Sequence, residues 1–223
     1  MNAERFTQTL WGSIAPIYEA ILEHPFLRGL ADGTLDEKAF RFYVVQDAHY
    51  LREYARALSI CSARAPHEDD ILMFARHAGG AIEVERSLHE SFFASFGLSE
   101  KDVAAEPIAP TTVAYTSYLL ATAHGGDFSD ALATVLPCYW IYWEVGKELL
   151  KSAPPNPLYQ RWIDTYGGEE FGAIVTEVLE LTDRVGSAAS EEQRKRMRSH
   201  FVTTSRYEWM FWDMGFTQEQ WPA

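Results

Sequence analysis

The chain reads as an all-α protein, on three observations. Apolar residues recur at three- and four-residue steps nearly everywhere, the period of a helix with one buried face. No stretch alternates apolar and polar residues as a half-buried strand does. Short Gly-, Pro- and Asp-containing breaks separate the periodic segments. The expectation is one helical domain over residues 1–223, a bundle of eight or nine helices.

The first stripe is Phe6, Leu10, Ile14, Ile17 and Ile21, with Pro16 inside it, where a kink or break is expected. His24-Pro25-Phe26 follows, then a turn at Asp32-Gly33. Asp36 is an N-cap for a long helix reaching about Arg64, before Pro66. The next helix runs from about Glu68 to Phe96 with Gly97 as its left-handed cap. Gly79-Gly80 inside it suggests a close helix–helix approach. A short helix follows Ser99, and another runs from about Thr111 to Gly125-Gly126. The segment from about Asp127 to Lys151 is expected to be interrupted at Pro137. Asn156-Pro157 opens a helix ending at Gly167-Gly168, and one more spans roughly Glu169 to Val185. Ser190-x-x-Gln193 is a capping box for the last helix, expected to end at Met214 with Gly215 behind it.

Composition narrows the function. With 32 acidic against 19 basic residues the formal charge is −13, the wrong sign for a phosphate backbone, so no nucleic-acid partner is expected. Arg194-Lys195-Arg196-x-Arg198 directly follows Glu191 and Glu192 and reads as a solvated helix face. The longest apolar run, Val135 to Trp143, falls short of the ~20 residues a membrane span needs. No secretory leader is visible at Met1-Asn2-Ala3-Glu4-Arg5, and two cysteines without CxxC spacing exclude a disulfide scaffold or thiolate zinc site. A cytoplasmic protein with free thiols is expected. The aromatics, 13 Phe, 11 Tyr and 7 Trp, cluster where the chemistry is.

Two carboxylates interrupt apolar stripes. Asp47 stands in Phe40, Val44, Asp47, Leu51, Tyr54, Leu58, flanked by Tyr43 and Tyr50. Glu208 stands in Met197, Phe201, Thr204, Glu208, Phe211, between Tyr207 and Trp209 and one turn from Trp212. A carboxylate on a buried stripe is paired, protonated or functional, because an isolated buried charge is costly. Structural ion pairing and acid/base chemistry both remain open for the two. In Leu136-Pro137-Cys138-Tyr139-Trp140-Ile141-Tyr142-Trp143, Tyr142 lies one turn from Cys138 and Pro137 removes a backbone donor beside the thiol. Cys138 is a candidate nucleophile or a buried inert thiol. Cys61, in Leu58-Ser59-Ile60-Cys61-Ser62-Ala63, reads as core packing. Glu85/His89 and His49/Glu53 share i, i+4 spacing but not the Glu-x-x-His repeat of di-iron bundles, so no metal or cofactor is expected. His24 reads as a cap or core hydrogen bond.

Taken in order, His24-Pro25-Phe26, Asp32-Gly33-Thr34-Leu35, Gln46-Asp47-x-x-Tyr50-Leu51, Tyr115-Thr116-Ser117, Leu136-Pro137-Cys138-Tyr139-Trp140-Ile141-Tyr142, Tyr166-Gly167-Gly168 and Tyr207-Glu208-x-x-Phe211-Trp212 resemble the TenA/thiaminase II family. The resemblance covers nearly the whole chain and points to the Cys-containing branch. It implies the haem-oxygenase-like helical fold without haem, a homotetramer and thiamin salvage. The implied reaction is hydrolysis at the methylene carbon of an aminopyrimidine, either thiamin or 4-amino-5-aminomethyl-2-methylpyrimidine, giving 4-amino-5-hydroxymethyl-2-methylpyrimidine. Carried over residue by residue, it implies Cys138 as nucleophile and Glu208 as acid/base. Asp47 would bind the amino edge of the pyrimidine, and Tyr50, Tyr115, Tyr142 and Tyr166 would line the site. His49 and Arg206 depart from the family's motifs at positions that are often aromatic, which bears on the pocket rim. The competing functions are a non-catalytic carrier of a thiamin-like ligand, a transcriptional regulator, which the charge disfavours, and an iron-dependent oxygenase on the same fold.

Overall fold

A computed structural model describes residues 5–222, and the side chains of all of these except 84–90 and 100. Among the described residues there are ten helices and no strand: α1 Phe6–Leu22, α2 Pro25–Asp32, α3 Glu37–Arg64, α4 Glu68–Phe96, α5 Glu100–Ala105, α6 Pro110–Gly125, α7 Phe128–Leu149, α8 Pro157–Gly167, α9 Glu169–Ala188 and α10 Glu191–Thr217. The tenth helix beyond the expected count is α2. His24 opens it as N-cap, its Nδ1 accepting from the Phe26 amide at 3.1 Å, with Pro25 in the first turn. Gly33, in the left-handed region at φ 81°, closes it.

The caps read from sequence form as side-chain bonds. Asp36 accepts from Lys38 N, Asn156 from Leu158 N, and the Ser190 capping box closes; a box at Ser99, not read from sequence, closes as well. Each satisfies a helix-start donor that has no partner within the helix. Some expectations need correction. Neither Pro16 nor Pro137 breaks its helix, and α1 and α7 run through them. Leu10, Ile14 and Ile21 are fully buried on α1, and 16 of the 22 residues of α7 are buried, so tertiary packing outweighs the local cost of about 3 kcal/mol. Gly215 lies inside α10, packed against Tyr43 and Phe26; Gln218 (φ 51°) is the cap. The basic run is a solvated face only in part: Lys195 and Arg198 are exposed, while Arg194 bonds the Gly186 and Ser187 carbonyls and Arg196 pairs with Asp127 and Asp130.

Helices α3 and α4 form a long hairpin, while α7, apolar on nearly every side, packs against α3, α6, α8, α9 and α10. The close approach assigned to Gly79-Gly80 is found elsewhere. A Cβ on Gly79 or Gly80 would meet no described atom within 4 Å, whereas one on Gly146 would fall 2.4 Å from Gly167 N. The α7–α8 crossing therefore needs glycine, and it brings Tyr166 against Tyr142, with ring centres 4.9 Å apart.

Candidate active site

Asp47, Tyr50 and Tyr54 come from α3, Tyr115 from α6, Cys138, Tyr139 and Tyr142 from α7, Tyr166 from α8 and Glu208 from α10. Both interrupting carboxylates are buried, Asp47 4% and Glu208 1% exposed. Tyr54 Oη donates to the Val135 carbonyl at 2.9 Å and ties α3 to α7 just before Pro137. Tyr43 and Tyr142 share a hydroxyl–hydroxyl bond of 3.0 Å. The Tyr50 ring lies 4.9 Å from Tyr115 and 5.6 Å from Tyr54, and Tyr142 packs on Trp212 at 5.2 Å. Tyr50, Tyr115, Tyr142 and Tyr166 thus belong to one buried aromatic cluster.

Burial raises the Glu208 carboxyl from 4.5 to about 8, with the nearby Asp47 charge adding to the rise and the Tyr115 hydrogen bond opposing it. At neutral pH Glu208 holds its proton. Tyr115 Oη donates to its Oε1 at 2.5 Å, which assigns the acid proton to Oε2. Burial also pushes the Tyr50, Tyr115 and Tyr142 phenols well above their ordinary value, so all three stay neutral donors.

A cavity of about 200 Å³ opens onto this cluster. Of the predicted residues, Asp47, Cys138, Tyr142 and Tyr166 are on its wall. Tyr50, Tyr115 and Glu208 are not on that wall, although Glu208 is near enough to Asp47 to feel its charge. The Trp212 indole N–H, on a ring packed against Tyr142, is buried without a hydrogen-bond partner. An unmet buried donor costs about 1–3 kcal/mol. The wall also includes Tyr54, Tyr139, Phe171, Arg76, His77 and Gly80, of which Phe171, Arg76 and His77 did not stand out in sequence. The signal for His77 was present: it follows Phe74 at i+3 on the buried stripe of α4. Gly80 lines the cavity, where a side chain would have open space to occupy.

The two cysteines differ. Cys61 is fully buried and its thiol is pushed up to about 12, whereas Cys138 is half-buried on the cavity wall. The Glu85/His89 pair lies outside the described side chains. Glu53 is engaged by Arg56 at 2.9 Å rather than by His49. No group of three or more metal-ligating residues occurs among the described residues. His24 serves both readings, as the cap of α2 and as a 3.4 Å partner of Asp213.

Comparison with known proteins decides the kinship. The model of the TENA/THI-4/PQQC family matches residues 11–218. The chain belongs to that family. It is 38% identical over 217 residues, 97% of this chain and 92% of the relative, to the "Aminopyrimidine aminohydrolase" of Bacillus subtilis (strain 168). The protein of the same description from Halalkalibacterium halodurans is 34% identical, covering 97% of each chain. Among solved structures, the "TenA homologue protein from P.horikoshii OT3" superposes with a TM-score of 0.88 at 28% identity, over 96% of this chain and 99% of that one. A Shewanella denitrificans domain described as having a heme oxygenase-like fold gives 0.76 at 16% identity, over 98% and 94%, and shows the fold alone. The all-α, haem-oxygenase-like expectation holds for this TenA-family chain.

Proposed function

We propose that the chain is an aminopyrimidine hydrolase acting at the exocyclic methylene carbon. The observation that carries this reading is a proton-holding buried Glu208 behind a cavity walled by Cys138 and Asp47. The relatives described as aminopyrimidine aminohydrolase support it.

Displacing an amine from a carbon attached to an aromatic ring is slow in one step. Attack by the Cys138 thiolate on the electron-poor ring breaks aromaticity, and Glu208 protonates a ring nitrogen to make that attack easier. The exocyclic group then leaves as a double bond forms to the methylene carbon. Water adds there, the thiolate departs, and aromaticity returns. Asp47 accepts from the 4-amino group and fixes the ring, while Tyr142 and Tyr166 enclose it. Tyr50 and Tyr115 complete the inner layer around Glu208.

Cavity size bears on the substrate. A cavity of roughly 150 Å³ holds a benzene ring. About 200 Å³ therefore suits a single substituted pyrimidine such as 4-amino-5-aminomethyl-2-methylpyrimidine better than the two rings of thiamin. The reading places the chain in thiamin salvage, as one helical domain, homotetrameric and cytoplasmic. No described helix is long and apolar enough to cross a membrane. Incubating the protein with the aminomethyl- and hydroxymethyl-pyrimidine pair and following ammonia tests the activity. Ligand binding without product would replace this reading with a carrier. Light scattering tests the tetramer.

A further inference from the structure

The reaction above moves protons to and from the ring through Glu208, yet the entering water has no base. His77 on α4 is a titratable side chain on the cavity wall that this scheme leaves unused. Its side chain is 2% exposed. Nδ1 lies 3.2 Å from Tyr139 Oη, and Tyr139 is the residue after Cys138 on the same wall. Nε2 has no aligned hydrogen bond; its facing partner is Glu177 Oε2 on α9, at 3.3 Å. Glu177 is half exposed and is held in turn by Arg76 at 2.5 Å. A carboxylate facing Nε2 assigns the proton to that nitrogen and leaves Nδ1 to accept from Tyr139.

We infer that His77, oriented by Glu177 and acting through the Tyr139 hydroxyl, receives the proton of the hydrolytic water. The inference rests on the hydrolase reading. The water oxygen forms the new C–O bond to the methylene carbon, and the exocyclic C=C pair withdraws into the ring, whose nitrogen still carries the proton that Glu208 gave it when the thiolate added. One water O–H bond breaks. Its proton passes to Tyr139 Oη while the proton of Tyr139 passes to Nδ1. The resulting imidazolium faces the Glu177 carboxylate, which opens to solvent and lets the proton leave. The thiolate then departs and Glu208 recovers its proton.

The groups facing His77 are Arg76 and Phe74 on its own helix, Tyr139 on α7 and Glu177 on α9. Burial, helped by Arg76, lowers the imidazole below its ordinary 6.5 against the pull of Glu177, so His77 is neutral and able to accept at pH 7. Burial holds Tyr139 well above the ordinary phenol value, so it cannot act as a resting phenolate and needs a base behind it.

The test follows ammonia and hydroxymethyl product separately in rapid-quench experiments with the aminomethylpyrimidine. His77→Asn keeps a hydrogen-bonding atom near Nδ1 but removes the base. The expected result is a full ammonia burst, one per site, followed by turnover slowed about 10²-fold or more. Azide, a nucleophile with no proton to lose, restores turnover as the azidomethyl product. Tyr139→Phe gives the same pattern and decides the question if His77→Asn fails to fold. Glu177→Gln slows turnover less and moves the acidic limb of the pH profile lower, because it removes the group that raises His77. Burst and turnover falling together, neither falling, or azide failing to rescue overturns the role of His77. A wild-type protein that releases no ammonia overturns the hydrolase reading itself and is recognised as such.

Discussion

Cys61 and Cys138 are the same residue type on neighbouring helices, and they differ in burial and in what surrounds them. Cys61 sits on α3 with no exposed surface, and burial pushes its thiol up to about 12. Cys138 sits half-buried on α7, on the wall of the cavity that Asp47 also lines, one residue after Pro137. The contrast predicts that reactivity follows the surroundings of a thiol, its access and its neighbours, rather than the residue type.

Replacing each cysteine is the strongest way to break the contrast. Cys138→Ser is expected to lower turnover by about 10³-fold or more while substrate still binds, and Cys61→Ser to leave turnover within about two-fold. Steady-state kinetics on both variants checks this, and a turnover loss in Cys61→Ser equal to that in Cys138→Ser would erase the distinction. Alkylation sharpens it from the opposite direction. Iodoacetamide should modify Cys138 on the order of 10²-fold faster than Cys61, and the hydroxymethylpyrimidine should protect Cys138. Peptide mass mapping after short exposure reads the outcome.

Glu208 gives a prediction of intermediate size with two readouts. Glu208→Gln removes the acid and should slow turnover by roughly 10²–10⁴-fold. Its effect on stability depends on pH. The folded-state value near 8 lies above the ordinary 4.5, so the stability of the protonated form is fully present below 4.5 and is lost as pH rises through 8. The loss approaches about 5 kcal/mol as an upper bound at full ionisation. Glu208→Gln, which cannot ionise, should therefore gain stability relative to wild type on going from about pH 5 to about pH 9. Urea titrations at the two pH values measure it. A variant that is equally destabilised at both would mark Glu208 as a structural hydrogen-bonding group.

The same contrast shows how much was legible in advance. Asp47 and Glu208 stood out because a 3.6-residue period has fixed positions, and a carboxylate on one of them violates it locally. The caps at Asp36, Asn156 and Ser190 were legible because each is a contact within four residues. Pro16 and Pro137 misled because their cost is local while the packing that offsets it comes from other helices. Gly79-Gly80 misled for a related reason: a glycine pair indicates missing volume, and only the fold shows whether a helix or a cavity uses it. His77 was overlooked because its significance depends on Tyr139 and Glu177, 62 residues and about 100 residues away in the chain. Position within a periodic stripe reveals a misfit, but not the partner that explains it.

The smallest expected effect tests the inert member of the pair as a packing element. Cys61→Ala removes one sulfur from a fully buried site and should cost about 1 kcal/mol, a fall in Tm of roughly 2–4 °C for a chain of this size. Cys61→Ser keeps the volume but buries a hydroxyl. On a helix that hydroxyl can bond back to the carbonyl four residues earlier, that of Ala57, so its penalty falls at the low end of about 1–3 kcal/mol. The ranking therefore separates two accounts of the site. If Cys61 only fills space, Ala and Ser should cost similar amounts and neither should alter kcat. If Ser costs several times more than Ala, the site is too dry and too tight for the back-bond, and burial is what keeps Cys61 from reacting. Thermal unfolding of the two variants beside wild type distinguishes them.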